Sequence, residues 1–169
     1  MYYTTGITSS CKVIRGQNEM ADKMNIQIIK TMSPSIVHFS SIGSSELGYI
    51  TVAQHPEIIP FVIKRVYWTY FTPHNVERGH HAHKALHQVI IAVSGNIKVK
   101  IEGFDGTRND FVLDTPDKGL YLPPMHWRTI HFSHNAVLLC MASEKYDADD
   151  YIREYDEFKN LSRTYKAGL

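Results

Sequence analysis

From Ile36 onward the chain runs as short apolar stretches rich in Val, Ile, Tyr and Phe with turn residues between them, the pattern of strands that bury one or both faces. The spacing predicts strands over 36–39, 49–53, 61–71, 87–93, 97–102, 107–113, 119–122, 127–132 and 136–142. Ser94-Gly95-Asn96 and Phe104-Asp105-Gly106 supply the positive φ that tight connections need and predict two hairpins. The period changes near the end of the chain. Tyr151, Ile152, Tyr155, Phe158 and Leu161 recur at helical spacing behind Asp147, Asp149 and Asp150, which predicts an amphipathic C-terminal helix with its acids at the positive end of the dipole. Residues 1–30 carry no sustained period and mix polar residues with scattered Met, so they read as a weakly ordered extension ahead of a single domain over 31–169.

A chain of 169 residues is long enough for one core of ordinary size. Eighteen Lys and Arg nearly balance 17 Asp and Glu, so no whole-protein field draws in a polyanion. That argues against nucleic-acid binding and leaves room for a local phosphate site. No apolar run approaches the roughly 20 residues of a membrane span. The stretch from Met1 to Cys11 is polar and lacks the basic start and apolar middle of a signal peptide, so a cytoplasmic location is expected. Cys11 and Cys140 are expected to be reduced, with Cys140 serving as a small core hydrophobe.

The chemistry gathers in Arg78-Gly79-His80-His81-Ala82-His83-Lys84, at the head of an apolar strand. A strand alternates its faces, so His81 and His83 share one side while His80 and Ala82 take the other. Two imidazoles aimed into one space suit either a metal or a proton shuttle. In metal-binding cupins the family pattern is His-x-His with a carboxylate three or four residues on, then a further His in a second motif. Here those positions hold His87 and Gln88, and Pro123-Pro124-Met125-His126 matches the second motif poorly, with His126 and His131 as loose candidates. A proton shuttle needs a carbon acid beside a ketone. Removing that proton gives an enediolate; returning a proton to the neighbouring carbon moves the carbonyl. The strand count, the Gly-bounded turns and the His-x-His together indicate an all-β, double-stranded jelly roll of the cupin type with a short C-terminal helix.

Several motifs then resemble one family in order. Ile59 to Trp68, which contains Lys64-Arg65-Val66-Tyr67, is followed by Arg78 to Lys84, by Gly119-Leu120-Tyr121-Leu122 with Pro124 and Trp127, and by Ala142 to Asp147 leading into Asp150-Tyr151-Ile152-Arg153. These are similar to the nucleotide-sugar 3,4-ketoisomerases, small cupins acting on dTDP-4-keto-6-deoxyglucose, and the likeness spans about Gly43 to Leu161. The resemblance implies that His81 takes the C3 proton and His83 helps relay one to C4, with no metal and no other cofactor. It places Arg65 and Arg78 as candidates to hold the diphosphate, since a guanidinium makes paired bonds to phosphate oxygens. Tyr70, Tyr121 and Trp127 are candidate surfaces for thymine or sugar.

The resemblance further implies a homodimer that exchanges N-terminal strands, through the region of residues 33–53. The chain departs from the family pattern at Leu47-Gly48, where many members have Arg-Gly, and at Arg128, where some have His. Both departures leave the configuration of the product at C4 open. Three rival readings follow from the same residues: a dTDP-sugar epimerase, a metal-dependent cupin dioxygenase or isomerase using His81, His83 and His87, and a non-catalytic binding module, whose signature would be a disabled histidine pair.

Overall fold

The computed structural model describes residues 33–74 and 76–167; the expected extension over 1–30 and Cys11 lie outside them. In chain order the strands are β1 (Ser35–His38), β2 (Ser40–Ser44), β3 (Gly48–Val52), β4 (Arg65–Thr69), β5 (Glu77–His83), β6 (Gln88–Ser94), β7 (Ile97–Gly103), β8 (Arg108–Leu113), β9 (Lys118–Leu122), β10 (His126–Phe132), β11 (Val137–Ala142) and β12 (Tyr151–Ile152). A single described helix, α1 (Tyr155–Ala167), closes the chain. Two five-stranded antiparallel sheets have the orders β1-β9-β6-β11-β4 and β12-β5-β10-β7-β8, and β2 and β3 form a separate two-stranded ribbon. The jelly roll is the expected one. No described helix is long and apolar enough to cross a membrane.

Alternation along the strands builds three apolar layers. Ile90, Ile97, Val99, Leu113, Leu120 and Cys140 meet between the sheets. Phe39, Val89, Ile91 and Tyr121 cover the outer face of the first sheet with Ile59. Ala82, Met125 and Ile152 take Phe158 of α1 on the outer face of the second. The helix is also fastened through Glu102 of β7, which accepts from Tyr155 Oη at 3.0 Å and Lys159 Nζ at 2.7 Å.

Three sequence expectations change. Residues 94–96 do not close a hairpin: β6 and β7 belong to opposite sheets, so Gly95, at φ 70°, turns a corner between layers. Phe104-Asp105-Gly106 does close one, pairing Glu102 with Arg108. The His-x-His stretch is the end of its own strand, β5, in the sheet facing β6. The helix begins at Tyr155 and not at Asp147, because Tyr151 and Ile152 extend the sheet by pairing with His83 and Ala82. Asp147 instead caps a turn, its Oδ1 accepting from Asp149 N at 2.9 Å.

Candidate active site

Strand β5 carries a bulge where it pairs with β10. Arg128 faces His81 and the next residue, Thr129, faces Gly79, so His80 is the extra residue. Gly79 and His80 both take positive φ, 91° and 50°. A Cβ at Gly79 would sit 2.7 Å from the Arg128 carbonyl oxygen, so only glycine lets the two strands approach this closely. The bulge has a chemical consequence. In a regular strand, residues three apart point to opposite faces; the extra residue puts both Arg78 and His81 on the inner side.

That inner side opens a cleft of about 640 Å³ between the sheets, lined by Tyr67 and Thr69 of β4, Arg78 and His81 of β5, Gln88 of β6 and Arg128 of β10, with Tyr146, Tyr151 and Arg153 at its rim. His81 Nδ1 donates to the Gly79 carbonyl at 2.8 Å, and Arg128 Nη2 lies 3.3 Å from Nε2. A carbonyl and a guanidinium leave no choice of tautomer: Nδ1 carries the hydrogen and Nε2 the lone pair. Burial, with the Arg128 charge next in weight, pushes His81 down to about 4. The ring is therefore neutral near pH 7, with the Nε2 lone pair turned toward Arg128.

His83 lies one step deeper. Its ring meets that of His81 edge to face at 5.1 Å between centroids, and it is 1% exposed. It lines a smaller recess of about 260 Å³ with Arg65, Tyr146 and Asp150. Its Nδ1 is 2.7 Å from Asp150 Oδ2, and Tyr151 covers its ring at 4.3 Å. Burial, then Arg128 and His81, hold it well below the usual imidazole range.

Arg128 is 2% exposed, and its Nη2 donates to Gln88 Oε1 at 2.6 Å. Gln88 Nε2 in turn donates to Tyr67 Oη at 2.8 Å. Both partners of Nη2, an amide oxygen and an imidazole nitrogen, are neutral. A positive charge buried in this way at a cleft wall is well suited to meet a negative charge that develops during reaction.

A family model described as "FdtA: WxcM-like, C-terminal" matches residues 32–163. The chain belongs to the nucleotide-sugar 3,4-ketoisomerase family. It is 39% identical over 130 residues, 76% of this chain and 91% of the relative, to the TDP-4-oxo-6-deoxy-alpha-D-glucose-3,4-oxoisomerase of Aneurinibacillus thermoaerophilus. The crystal structure of QdtA, a sugar 3,4-ketoisomerase from Thermoanaerobacterium thermosaccharolyticum in complex with TDP, is similar with a TM-score of 0.74 and 35% identity, covering 78% of this chain and 96% of that one. A histidine-to-asparagine variant of the same enzyme, in complex with TDP-4-keto-6-deoxyglucose, is similar with a TM-score of 0.73 and 36% identity over 78% of this chain and 94% of that one.

Within this ketoisomerase fold the candidate residues separate. His81 and Arg78 line the cleft, His83 and Arg65 the adjoining recess, where the Arg65 guanidinium lies over the rings of Tyr67 and Tyr146 at 5.2 and 5.6 Å. Tyr70, Tyr121 and Trp127 are not brought to the histidines. Tyr70 is exposed beside Phe71; Tyr121 is buried on the outer face of the first sheet, bonded to His87 Nδ1 at 2.7 Å; Trp127 packs against Tyr155 and Phe158 beneath α1. Alternation explains the last two, since inward Leu122 and Arg128 force Tyr121 and Trp127 outward. His87 is likewise engaged with Tyr121 and does not join the pair. Among the described residues, no three His, Cys, Asp or Glu side chains gather as a metal site would require. Tyr151, Arg153 and Asp150 sit in a stretch whose period reads as helix, and Gln88 takes a place where a metal site would need a carboxylate.

Proposed function

We propose that His81 is the base in this chain's reaction, the 3,4-ketoisomerisation of dTDP-4-keto-6-deoxyglucose through an enediolate. The supporting observation is the unprotonated Nε2 of His81, at the cleft wall with its tautomer set by Gly79 and Arg128 beside it. The 4-keto group acidifies the hydrogen on C3. His81 Nε2 takes that hydrogen, the bonding pair becomes the C3–C4 double bond of the enediolate, and Arg128 stabilises the negative oxygen. A proton then adds to C4 while the proton of the C3 hydroxyl passes to O4, so that O3 becomes the carbonyl oxygen and O4 a hydroxyl. Hydrogen moves from C3 to C4, and no oxidant or reductant is consumed. His83 serves the relay toward C4. Arg78 and Arg153 at the cleft wall, with Arg65 in the recess, supply charge for the diphosphate.

Incubation with dTDP-4-keto-6-deoxyglucose in deuterated water should give the 3-keto sugar with deuterium at C4, and exchange at C3 in recovered substrate. Absence of both, with folded protein, rules this reading out for that substrate. Return of the proton to C3 on its other face would make an epimerase, and product NMR separates the two outcomes.

The family resemblance also supports a homodimer. The β2–β3 ribbon pairs within itself, and Ile42, Leu47, Tyr49 and Ile50 on it are all exposed. Strand β4 is an edge of the first sheet with Val66 and Trp68 exposed, a surface a second copy's ribbon would cover. Light scattering should report a dimer; a monomer at micromolar concentration would remove this part of the proposal.

A further inference from the structure

We propose that Asp150 is a positioning residue for this reaction: it locks His83 as the Nδ1–H tautomer, keeps Nε2 as a bare acceptor inside the protein, and stabilises the imidazolium formed when Nε2 takes a proton. The inference rests on the ketoisomerase reading for its kinetic consequence, but the tautomer can be measured without substrate.

Asp150 Oδ2 is 2.7 Å from His83 Nδ1, and a carboxylate only accepts, so the hydrogen is on Nδ1. The other ring nitrogen, Nε2, is buried and makes no hydrogen bond. A buried polar atom without a partner works against stability, and such atoms are found where function needs them. The carboxylate is itself immobilised. Its Oδ1 accepts from Ala85 N at 2.7 Å, its backbone carbonyl accepts from Lys84 N at 2.9 Å, and Lys84 Nζ reaches the Asp149 carbonyl at 2.7 Å. The next residue, Tyr151, pairs with His83 across the β5–β12 ladder. One oxygen on Ala85 would suffice to fasten this turn; the second is directed at the imidazole.

The charges around the ring sharpen the point. Burial and the cations Arg128, Arg65 and Arg153 all disfavour a proton on His83, and the neighbouring His81 does the same when charged. The Asp150 carboxylate opposes them. A proton arriving at Nε2 converts a neutral ring beside a carboxylate into an imidazolium–carboxylate pair. When it is passed on to the enediolate, the N–H bond breaks, the C4–H bond forms and the ring is neutral again. Asp150 contacts neither the cleft nor a reacting atom in this scheme; it acts through His83.

The test is Asp150→Asn. Asparagine has one oxygen to serve two donors; if Ala85 N keeps it, the amide N–H faces His83 Nδ1 and drives the hydrogen to Nε2. Imidazole ¹⁵N NMR of the intact wild-type protein, assigned by the signals lost in His83→Asn, should show a pyrrole-type Nδ1 and a pyridine-type Nε2. Asp150→Asn should show the reverse. Its kcat should fall by about 100-fold or more, within the range a wrong tautomer costs in a related constellation, while KM and TDP affinity stay within about threefold. A wild-type His83 protonated on Nε2 would overturn the proposal, as would Asp150→Asn with an unchanged tautomer and kcat within about threefold of wild type. If the variant fails to bind TDP or to fold, the wild-type tautomer alone decides. Wild-type turnover measured alongside keeps the two ideas apart: no conversion defeats the isomerase reading, whereas the tautomer defeats or supports the role of Asp150.

Discussion

Between the two sheets, β7 and β8 close one end with Ile97, Val99 and Leu113, all fully buried, whereas at the other end β4, β5 and β10 turn Tyr67, His81 and Arg128 into the same interlayer space. Both ends obey one rule of alternation, and the difference lies in the residue types at the inward positions. At the closed end those positions remove apolar area from water and hold the sheets together. At the open end they hold a guanidinium and imidazoles away from water, which works against stability and suits them to react.

The largest expected effect separates the two ends by activity. His81→Asn should lower kcat by about 10²–10⁴-fold, the usual contribution of a general base, while the melting temperature and nucleotide affinity change little. Activity surviving within about tenfold, or about 1.4 kcal/mol of barrier, would mean that His81 is not the base. The matching change at the closed end is Leu113→Ala. It should cost about 2–5 kcal/mol in a urea titration through lost burial and a cavity, with kcat per folded molecule unchanged. A fall in kcat there would show that the closed end shapes the cleft after all.

How much of this contrast is visible in the sequence depends on which residues carry it. The closed end is legible because Ile97, Val99 and Ile101 alternate with Lys98 and Lys100, a period that only a strand with one buried face explains. His81 and His83 are legible for the same reason. The bulge is not: it depends on the register of β5 against β10, a pairing between residues about 50 apart, and no local pattern announces that His80 is the extra residue. Asp150 and Tyr151 read as helix in the sequence because acids ahead of an aromatic stripe suit a helix N-terminus. Pairing with the free edge of β5 overrides that preference. Tyr121 and Trp127 lie away from the histidine pair for a simpler reason: composition nominates aromatics, but parity within a strand decides which layer they join.

A smaller effect follows from the protonation of the open end. Burial, with Arg128 next in weight, holds His81 at about 4, below the usual 6.5 of an unfolded chain. The fold therefore favours the neutral ring. Above about pH 6.5 the ring is neutral in both states and the stability is fully present; as pH falls from there toward 4 the unfolded chain takes up the proton first, and stability is lost. The loss from this group is about 3 kcal/mol and levels off below pH 4. His83 acts in the same direction. Urea midpoints measured across this window should fall for the wild-type protein and fall less steeply for His81→Asn. Leu113→Ala should shift the whole curve down without changing its shape. An equal slope in His81→Asn and wild type would mean that the acid sensitivity arises elsewhere.

The smallest effect tests whether the outer face of the second sheet belongs with the closed end. Tyr155 Oη donates to the Glu102 carboxylate at 3.0 Å, on the side of the sheet that Trp127 shares with α1 and away from the cleft. Glu102 keeps Lys159 at 2.7 Å and Arg108 at 3.0 Å when that hydroxyl is gone, so Tyr155→Phe removes one bond without stranding the carboxylate. The expected cost is about 0.5–1.5 kcal/mol in urea, the net value of a single hydrogen bond, with kcat and KM unchanged. Strand β5 is the route by which a larger consequence would travel, because Ala82 packs in the cluster of Phe158 while its neighbours His81 and His83 form the pair. If Tyr155→Phe lowers kcat more than its stability loss explains, α1 is setting the height of β5 beneath the cleft. The outer face would then be part of the site's support and not only of the scaffold.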